Sequence, residues 1–185
     1  MESYIDSAIK QFTYYKSLGD KTLEQLTFDE LKKEMATDSN SISIIVKHIA
    51  GNMLSRWTNF LTEDGEKSWR HRDSEFEDSY NSKEELIHNW NNGWKCLFDT
   101  LNLLNDSDLE RIIYIRNEAH TVTEAINRQL AHYPYHVGQI VFIGKLIKGK
   151  NWQSLSIPKG NSIKYNEEKF SQVKSKSHFR DDLWQ

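Results

Sequence analysis

The sequence has little cysteine, little proline and no long apolar run. Of its 185 residues one is cysteine and two are proline. Because Cys96 has no second cysteine to pair with, an internal disulfide is excluded, which suits a reducing cytoplasm. No apolar run approaches the roughly 18–20 residues that a transmembrane helix needs. The first residues also lack the basic start and apolar core of a secretory signal. We therefore expect a soluble cytoplasmic protein without a membrane partner.

An excess of positive charge is missing as well. The chain has 24 lysines and arginines against 27 acidic residues, and its formal net charge is −3. Nucleic-acid-binding domains are commonly basic, so we expect no nucleic-acid partner. Aromatic residues are abundant at 12%, which excludes a disordered chain and predicts a packed core. The length favours one domain over residues 1–185.

Apolar residues recur at three- and four-residue spacing, which is typical of amphipathic helices. After the first helix we expect a break at Gly19-Asp20. Capping-box patterns at Ser82–Glu85 and Thr121–Glu124 predict the starts of the last two helices. The four long helices are predicted over about residues 3–18, 41–61, 82–104 and 124–148. Four long helices with long connections indicate an all-α four-helix bundle.

Two segments depart from the helical pattern. Residues 111–116 concentrate β-branched and aromatic side chains and are predicted as a short strand. From about Trp152 onward the sequence is irregular and polar, yet it contains Phe170, Phe179 and Trp184. We expect this C-terminal tail to pack on or near the domain.

The last predicted helix carries two histidines that could share a metal ion. His132 and His136 are four residues apart, so their imidazoles lie on one face of the helix. They flank the apolar stripe, where this helix should meet a neighbour. His48 lies on the flank of the stripe of the second long helix and is the candidate third ligand. A hydrogen-bonded interhelical histidine is the alternative for His48. The remaining histidines are expected to be bystanders: His71, His88, His120 and His178.

Three neutral imidazoles leave coordination positions open, as in catalytic rather than structural zinc sites. Imidazole also suits Ni, Fe and Cu, so the residues do not fix the metal, and Zn²⁺ or Ni²⁺ is the expectation. Pro134 lies between the two paired histidines and predicts a kink. That kink would either re-aim His132 or spoil the pair. Cys96 lies among large apolar residues and is expected to fill the core.

Three stretches of sequence carry a resemblance to a known superfamily. They are residues 41–53 continuing through Trp57 to residues 64–67, residues 125–132 continuing to Ile140, and residues 152–160. Together with the three histidines they resemble the DinB-like (DinB/YfiT-like) superfamily of metal-dependent proteins. Within it, they are similar to a branch of small bacterial cytoplasmic proteins of unknown function. The likeness spans about residues 40–165.

The resemblance implies a four-helix bundle, a divalent metal held by His48, His132 and His136, and a homodimer. Some members are S-transferases that use a low-molecular-weight thiol, and one branch isomerises maleylpyruvate. We therefore expect a metal-dependent transferase or hydrolase acting on a small molecule. Asn52 and Gln139 are candidates to orient substrate or ligand, with interhelical hydrogen bonding as the alternative. The competing hypothesis is a non-catalytic metal-binding or stress-associated dimer, and DNA binding has least support.

Overall fold

The computed structural model describes residues 3–174, and this part of the chain is mostly helical. It contains six α-helices and one two-stranded antiparallel sheet. The elements are α1 Tyr4–Gln25, α2 Phe28–Leu31, α3 Ile42–Trp57, α4 Lys83–Leu103, β1 Ile112–Ile115, β2 Glu118–Thr121, α5 Val122–Lys148 and α6 Ser162–Phe170. Within these residues no helix is long and apolar enough to cross a membrane.

The four long helices pack on one another around one apolar core. Helix α3 lies against α4 and α1 lies against α5, while further contacts join α3 to α5 and α1 to α4. Each long helix therefore contacts two others. The largest side chains in the core are aromatic, and burial of such large apolar surfaces is the main force that holds the helices together. They are Trp57, Trp90, Trp94, Tyr133 and Phe12.

Helix starts follow the predicted capping residues. At Thr121 the capping box is complete, because the hydroxyl accepts from the N–H of Glu124 and the Glu124 carboxylate accepts from the N–H of Thr121. At Ser82 only half of it forms. The hydroxyl of Ser82 accepts from the N–H of Glu85, whereas the Glu85 carboxylate accepts from the N–H of Asn81. Either arrangement satisfies backbone donors that a helix start leaves unpaired.

The predicted break at Gly19-Asp20 is wrong, since α1 continues to Gln25. Gly19 is buried where α4 approaches α1, and a Cβ at this position would lie 2.5 Å from Cζ2 of Trp90. The indole N–H of Trp90 donates to Asp20 at 2.7 Å. The glycine therefore makes room for an aromatic ring rather than ending the helix.

The predicted strand is present as β1, but its partner β2 was not predicted. His120 lies in β2 opposite Ile113. The turn between the strands is Arg116-Asn117, and both residues have positive φ, 56° and 62°, as tight hairpins require. The carboxylate of Asp64 accepts from both of their backbone N–H groups at 2.8 Å. The hairpin is thereby fixed to the loop that follows α3.

The expectation of an irregular tail is wrong in part, because residues 162–170 form α6. The start of the tail contacts α1, where the backbone N–H of Gln153 donates to the side chain of Gln25 at 2.9 Å. Phe170 is 84% exposed. Phe179 and Trp184 lie outside the described residues, so their packing on the domain stays a prediction.

Candidate metal centre

The structure brings the three predicted histidines together. His48 comes from α3, His132 and His136 come from α5, and one nitrogen of each lies within 4.8 Å of the others. The two Nε2 atoms of the α5 pair are 3.1 Å apart. Helix α5 is continuous through Pro134, so the proline does not separate the pair.

Each imidazole is held through Nδ1 by a side-chain oxygen. The partners are Glu75 Oε2 for His48 at 3.0 Å, Gln129 Oε1 for His132 at 3.1 Å and Gln139 Oε1 for His136 at 2.8 Å. An oxygen acceptor at Nδ1 selects the tautomer that carries its proton there. This leaves the Nε2 lone pair of each ring for a metal ion, the arrangement usual for metal-binding histidines. The donor set present therefore fits a divalent cation.

Burial favours the neutral, metal-binding form of the two α5 imidazoles. It lowers the pKa of His132 to about 3, and the neighbouring His136 and His48 add to the effect. Burial also lowers the pKa of His136, against the opposing hydrogen bond to Gln139. Since a protonated imidazole has no lone pair for a cation, the site is prepared for binding at neutral pH.

Glu75 is a buried carboxylate behind His48. Arg70 grips it with two hydrogen bonds, Nε to Oε1 at 2.7 Å and Nη2 to Oε2 at 2.9 Å. Burial alone would raise the pKa of Glu75, but the hydrogen bonds from His48 and Arg70 outweigh it and hold the pKa below its ordinary value. A charged carboxylate on Nδ1 fixes the ring and raises the basicity of its free nitrogen.

Sequence reasoning missed Glu75, because acidic residues in loops are solvated by default. It lies in a single 3₁₀ turn, Asp73–Phe76, which folds back over α3. The ammonium of Lys47 donates to the backbone carbonyls of Ser74 and Glu77 and holds this turn in place. One signal was present in the sequence. Gly51 is unfavourable inside a helix, and a Cβ there would lie 2.9 Å from Cδ of Glu75.

The two candidate orienting residues occupy different positions. Asn52 is buried, and its Oδ1 accepts from the hydroxyl of Tyr133 at 3.0 Å, so it bonds between α3 and α5. It also lines the cleft in front of the histidines. Gln139 bonds His136 on its own helix. A role in orienting substrate stays a prediction for Asn52, and for Gln139 the contact is with a candidate metal ligand.

The cluster opens into a cleft of about 410 Å³, a size that suits a small molecule. The net charge of the whole chain did not predict the positive charge of this cleft. The residues that line it are His48, His132, His136, Asn52, Gln129, Phe76, Arg56, Arg70, Arg72, Arg116 and Arg128.

The other histidines lie apart from the cluster. His71 and His88 are exposed, as expected for bystanders, and His120 belongs to β2. His178 lies outside the described residues. Cys96 is half-buried beside the hydroxyl of Thr58, with 3.6 Å between sulfur and oxygen, and packs against the core.

One comparison with known proteins identifies a family. The family model described as "Protein of unknown function (DUF1572)" matches residues 1–161. The chain belongs to this family. No curated protein and no solved structure matches the chain. DUF1572 is a family of unknown function, as expected, and membership assigns no reaction.

Proposed function

We propose that this DUF1572 chain is a divalent-metal-dependent enzyme acting on a small molecule. The observation that carries the proposal is the histidine cluster itself. In His48, His132 and His136 a side-chain oxygen holds Nδ1, which leaves the Nε2 lone pairs for a metal ion, and the three rings open into a cleft. Structural zinc sites are closed by four protein ligands, whereas catalytic sites keep a position open. These three residues would hold Zn²⁺ or Ni²⁺.

The architecture supports membership of the DinB-like superfamily. Helices α1, α3, α4 and α5 each contact two others, as the helices of a four-helix bundle do. The candidate ligands come from the second and the last of these long helices, as the resemblance implies. We propose a DinB-like bundle on this basis.

When bound, a divalent ion supplies Lewis acidity that stabilises negative charge on a substrate oxygen or sulfur. The chain itself contributes orientation. Glu75, Gln129 and Gln139 fix the imidazoles, and Asn52 offers an amide at the wall of the cleft. Among metal-dependent reactions we favour transfer of a low-molecular-weight thiol to an electrophile, because the superfamily that the sequence resembles contains such transferases.

We also propose that the protein is a homodimer. Tyr135, Phe142 and Leu146 expose 63%, 63% and 51% of their surface on α5. Their spacing of seven and four residues places them on one face, and such apolar stripes commonly mark interfaces. Sedimentation equilibrium is expected to give twice the chain mass of 21.8 kDa, and a monomer mass would contradict this.

The metal content of the purified protein tests the central proposal. Protein prepared without chelator is expected to carry about one ion per chain by elemental analysis, because three neutral imidazoles bind divalent metals tightly. His132→Ala should lose the ion while keeping its circular dichroism spectrum. His88→Ala is the matched control, since His88 is exposed and contacts Asn92, and it should keep the ion.

Two outcomes would decide against the proposal. If the wild type neither carries a stoichiometric ion nor binds one on addition, the metal site does not exist. If the ion binds but no metal-dependent turnover follows with low-molecular-weight thiols and electrophilic acceptors, the non-catalytic metal-binding protein is the better interpretation.

A further inference from the structure

The cleft above the histidines is lined by positively charged side chains and, among the described residues, by no acidic one. Five arginines face it, although the whole chain has a net charge of −3. They come from α3, from the loop after it, from the hairpin turn and from α5. This concentration of positive charge does not depend on a bound metal.

Three of the five arginines are paired with carboxylates behind the cleft wall. Arg56, Arg70 and Arg116 approach Oε2 of Glu66 at 3.0, 3.3 and 3.2 Å. Arg70 also binds Glu75. These three arginines are therefore paired with only two carboxylates, those of Glu66 and Glu75.

The other two, Arg72 and Arg128, have no ion pair or side-chain hydrogen bond within residues 3–174. Arg128 lies one helical turn before His132, so the two side chains share a face of α5. The guanidinium carbon of Arg72 lies 5.3 Å from the ring centre of Phe76. That ring stacks on His48 with 5.1 Å between centroids. Both guanidinium groups therefore line the cleft beside the histidine cluster.

Arg116 stands at the rim of the same cleft. The turn that presents it is anchored by Asp64, which accepts from the backbone N–H groups of Arg116 and Asn117. The carboxylate of Asp64 is occupied by these contacts and by the N–H of Glu66. The rim arginine is therefore positioned by the fold rather than by the substrate.

We propose that the cleft binds the carboxylate or phosphate group of a small anionic substrate, with Arg72 and Arg128 as its partners and Arg116 at the rim. The planar guanidinium group matches an oxyanion with two parallel hydrogen bonds. A cleft of about 410 Å³ suits a small molecule rather than a polymer. The inference rests on the proposed function only in taking the anion to be part of the substrate, since the arginines belong to the chain itself.

Calorimetric titration of the full chain tests this inference. The probes are succinate, the uncharged succinamide of similar shape, and inorganic phosphate, added at constant ionic strength to metal-free and Zn²⁺-loaded protein. Succinate or phosphate is expected to bind both forms, and succinamide is not. The tighter of the two anions identifies the preferred oxyanion.

Substitutions then assign the binding groups. Replacing both Arg72→Gln and Arg128→Gln should weaken anion binding about tenfold or more, because hydrogen bonds to charged groups are lost. Arg111→Gln is the matched control. Arg111 pairs with Asp108 at 3.0 Å and lies outside the cleft, so anion affinity should change less than about twofold. The affinity of the double variant for Zn²⁺ should be no weaker than that of the wild type.

Three results would overturn the inference: equal binding of succinamide and succinate, no anion binding by either form, or anion binding that the double variant retains. Anion binding confined to Zn²⁺-loaded protein and insensitive to the arginines would make the ion the binding group, and the proposed function would stand. If the protein binds the anion but takes up no metal, the arginine site stands and the proposed metal-dependent function fails.

Discussion

The candidate metal centre and the aromatic core lie side by side on α5 and are built in opposite ways. His132 faces the cleft, while the next residue, Tyr133, is fully buried against Trp94 and Phe12. In the core, large rings pack edge to face and stability grows with buried area. In the candidate centre, each imidazole is oriented by a side-chain oxygen at Nδ1, such as that of Glu75 for His48. We infer that the aromatic core determines the free energy of unfolding and that the candidate centre determines metal binding.

The largest expected effect is in the core. Trp90→Ala should lower the free energy of unfolding by about 3–5 kcal/mol, because it deletes a fully buried ring and leaves a cavity. Denaturant titration measures the loss. Leu103→Ala is the control, since Leu103 is 83% exposed and should change stability by less than about 0.5 kcal/mol. A loss below about 1 kcal/mol for Trp90→Ala would break the comparison.

A small change beside the centre should act on binding instead. In Gly51→Ala the new methyl group displaces Glu75, and the loss of this partner to His48 should weaken metal affinity about 10–100-fold. A competition titration with a chelator of known affinity measures this. Gly138→Ala is the matched control, because no atom lies within 4 Å of a Cβ there.

The control variant Gly138→Ala should itself change the stability of the protein. Alanine is favoured over glycine inside a helix, so Gly138→Ala should raise the free energy of unfolding by about 0.5–1 kcal/mol and leave metal affinity unchanged. Equal metal affinities for the two glycine variants would show that Glu75 does not support His48.

A difference of similar size should separate two tryptophans within the core. The indole N–H of Trp90 donates to Asp20, whereas that of Trp94 has no partner among the described residues. Both changes to phenylalanine remove similar volume, so Trp90→Phe should cost about 1 kcal/mol more than Trp94→Phe because it also loses a hydrogen bond. Equal losses in a denaturant titration would contradict the assignment.

What could be predicted from sequence follows from helical periodicity. Spacing decides which side chains share a helix face, so His132 and His136 could be paired, and the flanking position of His48 made it the third candidate. Glu75 could not be found in this way, since a loop has no period and its partner Arg70 is five residues away in the same loop. The cleft arginines come from four separate segments, so only tertiary packing brings them together. The helix break predicted at Gly19 was wrong because the sequence does not distinguish a glycine that ends a helix from one that makes room for an aromatic ring.

Most of the contacts that orient the candidate metal ligands join residues that are close in sequence, which bears on how the site is assembled during folding. Gln129 and Gln139 are each three residues from the histidine they hold, and Arg70 is five residues from Glu75. His48 and Glu75 belong to one continuous stretch of 28 residues, 48–75. Closing a short loop costs less conformational entropy than closing a long one. The α5 half is therefore organised within one helix, whereas the His48 half needs the loop to fold back across 27 residues, and the docking of α5 on α3 brings the two halves together.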